Sequence, residues 1–233
     1  VIKYTHDVIV KTKDLPARAN LYNMARIYQA FSFMILTDEY GDIPYSQGGA
    51  GYTDQVFFPV YDKQQDIYND IIKELTEAGA ALSTTGTIET ADLLYAGNIN
   101  QWKKFANSLL LRAGMRLIKV DAAKAQAVAT AAIAAGVITT NADNAAIRHD
   151  ANFTHPIGGG LNGSEAANFY LAKPFVDKLK NTNDPRLSAI AVRYVGAKSG
   201  NDQTAGAGVT TADVQIGLPM GKDNGTAPAQ ATA

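Results

Sequence analysis

The sequence predicts a mainly α-helical protein with one helical hairpin of tetratricopeptide length, no second copy of it, and a loop-rich C-terminal part. Three observations predict it. Apolar stripes recur at spacings of three and four residues from about 15 to 135. Two of the resulting helices, joined by a single-residue turn, span about 35 residues, the length of one tetratricopeptide-type hairpin. After Gly136 the periodicity stops and the chain becomes rich in Asn, Asp, Gly and Thr.

Val8, Ile9 and Val10 form a short β-like run near the start. Asp14 is a plausible helix N-cap with Pro16 in the first turn, where proline is tolerated. The first long helix, about Leu15 to Asp38, is apolar on almost every side through Ile27, Tyr28, Phe31, Phe33, Met34, Ile35 and Leu36, so most of its surface is expected to be buried. It breaks at a rigid aromatic turn, Tyr40-Gly41-Asp42-Ile43-Pro44-Tyr45, where Gly41 permits a positive φ and the residue before Pro44 is biased out of the helical region.

Residues 46–60 read as a loop containing Gly48, Gly49, Gly51, Tyr52, Phe57 and Phe58. Asp62, with Gln65 three residues on, suggests a capping box. Ile67, Ile71, Leu75, Ala78 and Leu82 then line one face of a second helix, whose opposite face is polar. Residues 83–100 connect to a third helix, Gln101 to Val120, capped by Asn98 or Asn100. Its stripe is Trp102, Phe105, Leu109, Ala113 and Leu117. Asp121 caps a fourth helix, Ala122 to Ala135, which stops at Gly136, the expected C′ residue. Farther on, Ser164 and Pro174 each mark the start of a short helix. Ile190, Val192, Tyr194 and Val195 form a brief β-like run, and 197–233 reads as mostly loop.

Composition narrows the function. The 233 residues carry 46% apolar and 18% charged side chains, a globular profile. A net charge of −1 offers no nucleic-acid footprint. There is no cysteine, which removes disulfides, thiol catalysis and Cys-based zinc sites. No apolar run reaches the roughly 20 residues a membrane-spanning helix needs. Val1 and the small-residue ending GTAPAQATA both look cut, so a fragment or mature form of a longer chain is expected.

Catalytic and metal motifs are sparse. The sequence holds no H-E-x-x-H, no G-x-S-x-G elbow, no phosphate-binding P-loop and no calcium loop. His149, His155 and Asp150 are close enough in sequence to share a metal, but ordinary polar loop residues are the simpler reading; no cofactor and no metal is expected. Asp38, Glu39 and Asp42 form an acidic cluster from which a carboxylate pair for glycoside hydrolysis could be drawn. At a helix C-terminus, however, a role in holding the turn through backbone bonds is favoured for Asp38 and Asp42. The remaining signal is the loop aromatics Tyr45, Tyr52, Phe57, Phe58, Phe153 and Tyr170, whose faces can either stack on sugar rings or pin loops to helices. Trp102 lies on a packing stripe.

Four segments taken together resemble the SusD/RagB-type family. ARIYQAFSFMILTDEYGDIPYS is similar to its second helix and the following D-x-Y/F-G-D-I-P-Y turn, here Asp38, Tyr40, Gly41, Asp42, Ile43, Pro44 and Tyr45. PVYDKQQDIYNDIIKELTEAGAAL resembles the next helix through Pro59, Tyr61, Asp62, Gln64, Ile67, Tyr68, Ile71, Leu75 and Ala78. NINQWKKFANSLLLRAGMRL resembles the W-x-K-F-A-N-S-L-x-L-R helix from Trp102 to Arg116, with Gly114 where alanine is usual. Asp184, Pro185 and Arg186 match a D-P-R segment.

The resemblance implies a mainly α-helical fold of tetratricopeptide-like helical hairpins scaffolding an irregular loop-rich region, in a non-enzymatic, surface-exposed nutrient-binding lipoprotein of the outer membrane. It would act as the lid of a TonB-dependent transporter barrel and take an oligosaccharide or peptide ligand. Members are longer and carry a lipid-bearing N-terminal cysteine that this chain lacks. The chain is therefore expected to be one partial domain of that type over 1–233, with a helical scaffold at 14–136 and a loop-rich part at 137–233. The ligand-binding residues expected are Tyr45, Tyr52 and Phe58. The alternatives are a helical protein-interaction scaffold, a peptide-binding lid, and a glycosidase using Asp38 and Asp42.

Overall fold

The computed structural model describes residues 1–158, 170–193 and 208–221. The chain divides into two compact units, residues 1–148 and 149–233. The first is a helical scaffold of α1 (Ile2–Thr12), α2 (Ala19–Tyr40), α3 (Gln64–Ala81), α4 (Ile99–Arg116) and α5 (Ala122–Ala135). Each helix packs on the next in chain order, and α2 also touches α4. This is the mainly helical, tetratricopeptide-like arrangement that the family resemblance implies; the periodicity alone gives one hairpin, α4–α5.

α1 differs from the expected β-like run. Its inward positions, Ile2, Thr5, His6, Ile9 and Thr12, recur at helical spacing along one side. Thr5 and Thr12 donate their hydroxyls to carbonyls three and four residues back. Packing of that side on α2 overrides the weak helix propensity of Val8, Ile9 and Val10. A single 3-10 turn, Pro16–Arg18, leads into α2, and Asp14 caps neither element.

α2 is the central element. Ile27, Ala30, Phe33 and Met34 are buried against Ile67, Ile71 and Leu75 of α3 and against Trp102, Phe105 and Leu109 of α4 in one continuous core. Thr37 is also fully buried; its hydroxyl donates to the Gly41 carbonyl at 2.6 Å. Buried Asn20 is fully satisfied. Its amide nitrogen donates to the Ser83 and Thr87 carbonyls, and its oxygen accepts from the Ser83 amide, each at 2.9 Å. One side chain thereby fixes the start of the 83–98 connection to α2.

Asp92 fixes the other end of that connection. It accepts from the amides of Leu94, Tyr95 and Gly97 and from the Trp102 indole at 2.6 Å. Tyr95, Trp102 and Phe105 then meet edge to face with centroids 5.8–6.3 Å apart. Trp102 is a packing residue, as its stripe implies. Asn98 caps α4 through Asn100 and Gln101, and Asp121 caps α5 through Lys124. α5 crosses α4 so closely at Gly114 that an added Cβ would lie 3.2 Å from the Ala129 nitrogen. That close approach explains glycine where the family resemblance leads one to expect alanine.

In the second unit the described residues form α6 (Lys173–Asn181), begun by Pro174, and the one-turn α7 (Leu187–Ile190). Val176, Leu179, Leu187 and Ala191 make a small core. Ile190 belongs to α7 rather than to a strand, and Arg193 makes a single bridge to Val209. Tyr194, Val195 and the helix start expected at Ser164 lie outside the described residues.

Candidate functional site

The stem of the 46–61 loop is built by two aspartates that trade places. Gly41, at φ +74°, ends α2 and sends the chain back. Asp42 then accepts from the Gln64 amide at 2.9 Å, capping α3 from the preceding turn, and from Lys63 Nζ at 2.8 Å. Asp62 caps nothing in its own helix. Its carboxylate turns back to the amides of Tyr45 (3.0 Å) and Ser46 (2.7 Å) and to the Ser46 hydroxyl. An Ile43–Asp62 antiparallel bridge, with the Asp62 amide donating to the Ile43 carbonyl at 2.9 Å, joins the two stems. The expected Asp62–Gln65 capping box is thus replaced by a long-range exchange, because Asp42 reaches the orphan amide first.

Tyr45 is the hinge of this arrangement. Its ring meets Phe33 edge to face at 4.6 Å, and its hydroxyl donates to Asp70 at 2.8 Å. Burial, together with the neighbouring Asp70 carboxylate, pushes the phenol well above its ordinary value, so it stays protonated. Beyond it, Gln47 accepts from the Val60 amide at 3.0 Å and closes the loop neck, while buried Ala50 accepts from Asp54 and anchors the interior. The tip points outward. Tyr52 is 75% exposed, Phe57 73% and Phe58 94%; Val60 and Tyr61 are also exposed, as is Tyr40 at the end of α2. Gln55 holds a left-handed φ of +55° between Tyr52 and the Phe pair.

Of the three residues expected to contact a ligand, Tyr52 and Phe58 stand on this exposed tip and Tyr45 lies at its base. Tyr61 and Tyr40, which join the exposed set, resemble ordinary helix-flanking positions in the sequence. Only the three-dimensional closure of the stems shows that they flank the same loop.

The carboxylates weighed for catalysis are otherwise engaged. Asp38 accepts from the Tyr68 hydroxyl and from Arg116 Nε at 2.5 Å, and Asp42 holds the α3 cap. Asp38, Tyr68 and Arg116 line a groove of about 800 Å³ with Gln65, Asn69 and Lys124; no loop aromatic reaches it. In the second unit, Asp150 accepts from the amides of Asn152 and Phe153, while His149 stacks on Phe153 with centroids 4.9 Å apart. Among the described residues no three His, Cys, Asp or Glu side chains come together as a metal site, and no helix is long and apolar enough to cross a membrane.

The stem gives a pH signature. For Asp62, burial raises the pKa, but the Ser46 and Tyr45 amides outweigh it and the net shift is downward; for Asp42, the Lys63 and Gln64 donors lower it. A carboxylate lowered in the folded state contributes stability that is complete above its unfolded value of about 3.9 and is lost as pH falls through the folded value. The difference in urea midpoint between wild type and Asp62→Asn is therefore expected to be constant well above the unfolded value of about 3.9 and to shrink as pH falls below it. A difference that does not change with pH refutes the assignment.

Fold and site together define a helical-hairpin scaffold that presents an aromatic loop on a double-aspartate stem. The chain belongs to the SusD-like family described as starch-binding and associating with the outer membrane, which it matches over residues 2–223. It is similar to the solved structure of a chitin-binding protein, with 36% identity and a TM-score of 0.76, covering 84% of this chain and 42% of that one. It is similar to a SusD-like protein of Bacteroidetes at 31% identity and TM-score 0.76, over 91% of this chain and 42% of that one. A chitin-binding SusD homologue from Flavobacterium johnsoniae matches at 25% identity and TM-score 0.70, over 92% and 48%. The chain thus spans less than half the length of these structures. Among curated protein sequences nothing matches.

Proposed function

We propose that this chain is part of a surface-exposed glycan-binding protein of the outer membrane, acting without catalysis as the lid of a TonB-dependent transporter barrel. The observation that carries the reading is the exposed aromatic tip of the 46–61 loop, held on a rigid stem in a chain of SusD-like family. Exposed tyrosine and phenylalanine faces stack on the C–H faces of pyranose rings, and a stem anchored in the α2–α3 packing lowers the ordering cost of binding. Tyr52 and Phe58 are the proposed ligand contacts, and Tyr45 sets their position from the base. The chitin-binding relatives support an oligosaccharide ligand over a peptide.

The carboxylates argue for binding without hydrolysis, because Asp38 and Asp42 are already bound to Tyr68, Arg116 and Gln64. The test is calorimetric titration with a panel of neutral and acidic oligosaccharides, with product analysis of the same mixtures. Saturable binding to at least one member without release of new reducing ends is expected. Silence across the panel defeats the glycan reading; hydrolysis defeats the non-enzymatic one.

A further inference from the structure

One cluster joins Tyr52 of the loop tip to residues of α1. Tyr4 of α1 is 71% exposed, a value close to that of Tyr52. Between them the Lys3 ammonium lies 5.8 Å from the Tyr4 ring centroid and 5.4 Å from the Tyr52 centroid. The two tyrosines come from segments far apart in sequence, so their juxtaposition depends on α1 docking against the loop.

That docking is specific. An added Cβ on Gly49 would meet His6 Cβ at 3.1 Å and Ile2 Cγ2 at 3.3 Å, so α1 rests directly on the glycine backbone. One residue of the same helix side, His6, hydrogen-bonds through Nε2 to the Thr53 hydroxyl at 3.0 Å, next to Tyr52. Lys3 forms no ion pair among the described residues. Asp54, the nearest loop carboxylate in sequence, accepts from Thr53 and faces His6 at 3.6 Å instead.

We propose that Lys3, Tyr4 and Tyr52 form a subsite for an acidic sugar unit, a pyranose ring bearing a carboxylate. The proposal rests on the glycan-binding reading and adds the substrate class. Two exposed phenol rings offer the flat apolar faces that a pyranose stacks on. The cation between them has ring faces but, among the described residues, no carboxylate partner, so a ligand carboxylate completes it with a charge-assisted bond. A neutral sugar gains the stacking alone.

The test compares oligomers of galacturonate, glucuronate and mannuronate with their methyl esters, which keep the ring and remove the charge. Chito-oligosaccharides serve as a neutral reference. With the full chain, at least one uronate oligomer is expected to bind about two- to fivefold more tightly than its ester, the scale of one exposed ion pair, and the preference is expected to weaken as salt screens it. Lys3→Gln is expected to bring the acid-to-ester ratio to about one. Tyr4→Ala weakens acid and ester alike. If no uronate is preferred over its ester, or the preference survives Lys3→Gln, the acidic subsite is refuted, and binding of the neutral oligomers then leaves the general glycan reading standing. If neither acidic nor neutral glycans bind, both readings fall together.

Discussion

Trp102→Ala is expected to destabilise the first unit by about 3–5 kcal/mol, the range for removing a large aromatic from a packed core. Trp102 is only 3% exposed and packs edge to face with both Tyr95 and Phe105. It is also the side-chain donor to Asp92, the residue that organises residues 92–97. The loss therefore combines a cavity with a loosened connection. Trp102→Phe separates the two parts. It keeps most of the ring contact and removes the N–H, so a smaller cost of about 1–3 kcal/mol is expected, the scale of a polar partner left unmatched. Urea denaturation of the three proteins decides it; equal midpoints for wild type and Trp102→Ala would show that the aromatic cluster does not hold the scaffold.

The second large effect falls on binding rather than stability. The double change Tyr52→Ala with Phe58→Ala is expected to weaken oligosaccharide binding about tenfold or more, because each stacking contact contributes about 0.5–1.5 kcal/mol beyond buried area. Folding should be nearly untouched, since Phe58 is 94% exposed and Tyr52 75%. Surface changes of this kind stay within about 0.5 kcal/mol. Calorimetry and thermal melting on the same samples separate the two quantities. Unchanged affinity in the double variant removes the loop tip from the site.

What the sequence made legible was local. Asn98, Asp121 and Gly136 carry their signals within one turn of the helix end they define, and all three do there what the residue types suggest. The stripe from Ile67 to Leu82 is buried throughout. The difficult positions depend on partners distant in the chain. Val8, Ile9 and Val10 resemble a strand until the α2 surface that selects a helix is known. Asp62 has the spacing of a capping box, yet its carboxylate serves Tyr45 and Ser46 while Asp42 caps the helix from across the turn. The site followed the same rule. Aromatic residues in a glycine-bearing loop were visible one by one, but inward Tyr45 and outward Phe58 differ only through Phe33 and Asp70, which lie on two other elements. Tyr4 joined the picture only when α1 proved helical and docked on Gly49.

The exchange of Asp42 and Asp62 has a consequence for how this surface can diverge. Because the two carboxylates and the Ile43–Asp62 bridge lock the stems together, the residues between Gln47 and Val60 form a closed cassette whose ends are fixed regardless of its contents. Lengthening such a segment is thermodynamically mild, about 0.6 kcal/mol for each doubling. On the proposed glycan-binding reading, ligand preference is rewritten by exchanging the tip from Tyr52 onward, while Gly48 and Gly49, against which Phe33 and α1 pack, stay in place and the helices beneath keep their packing.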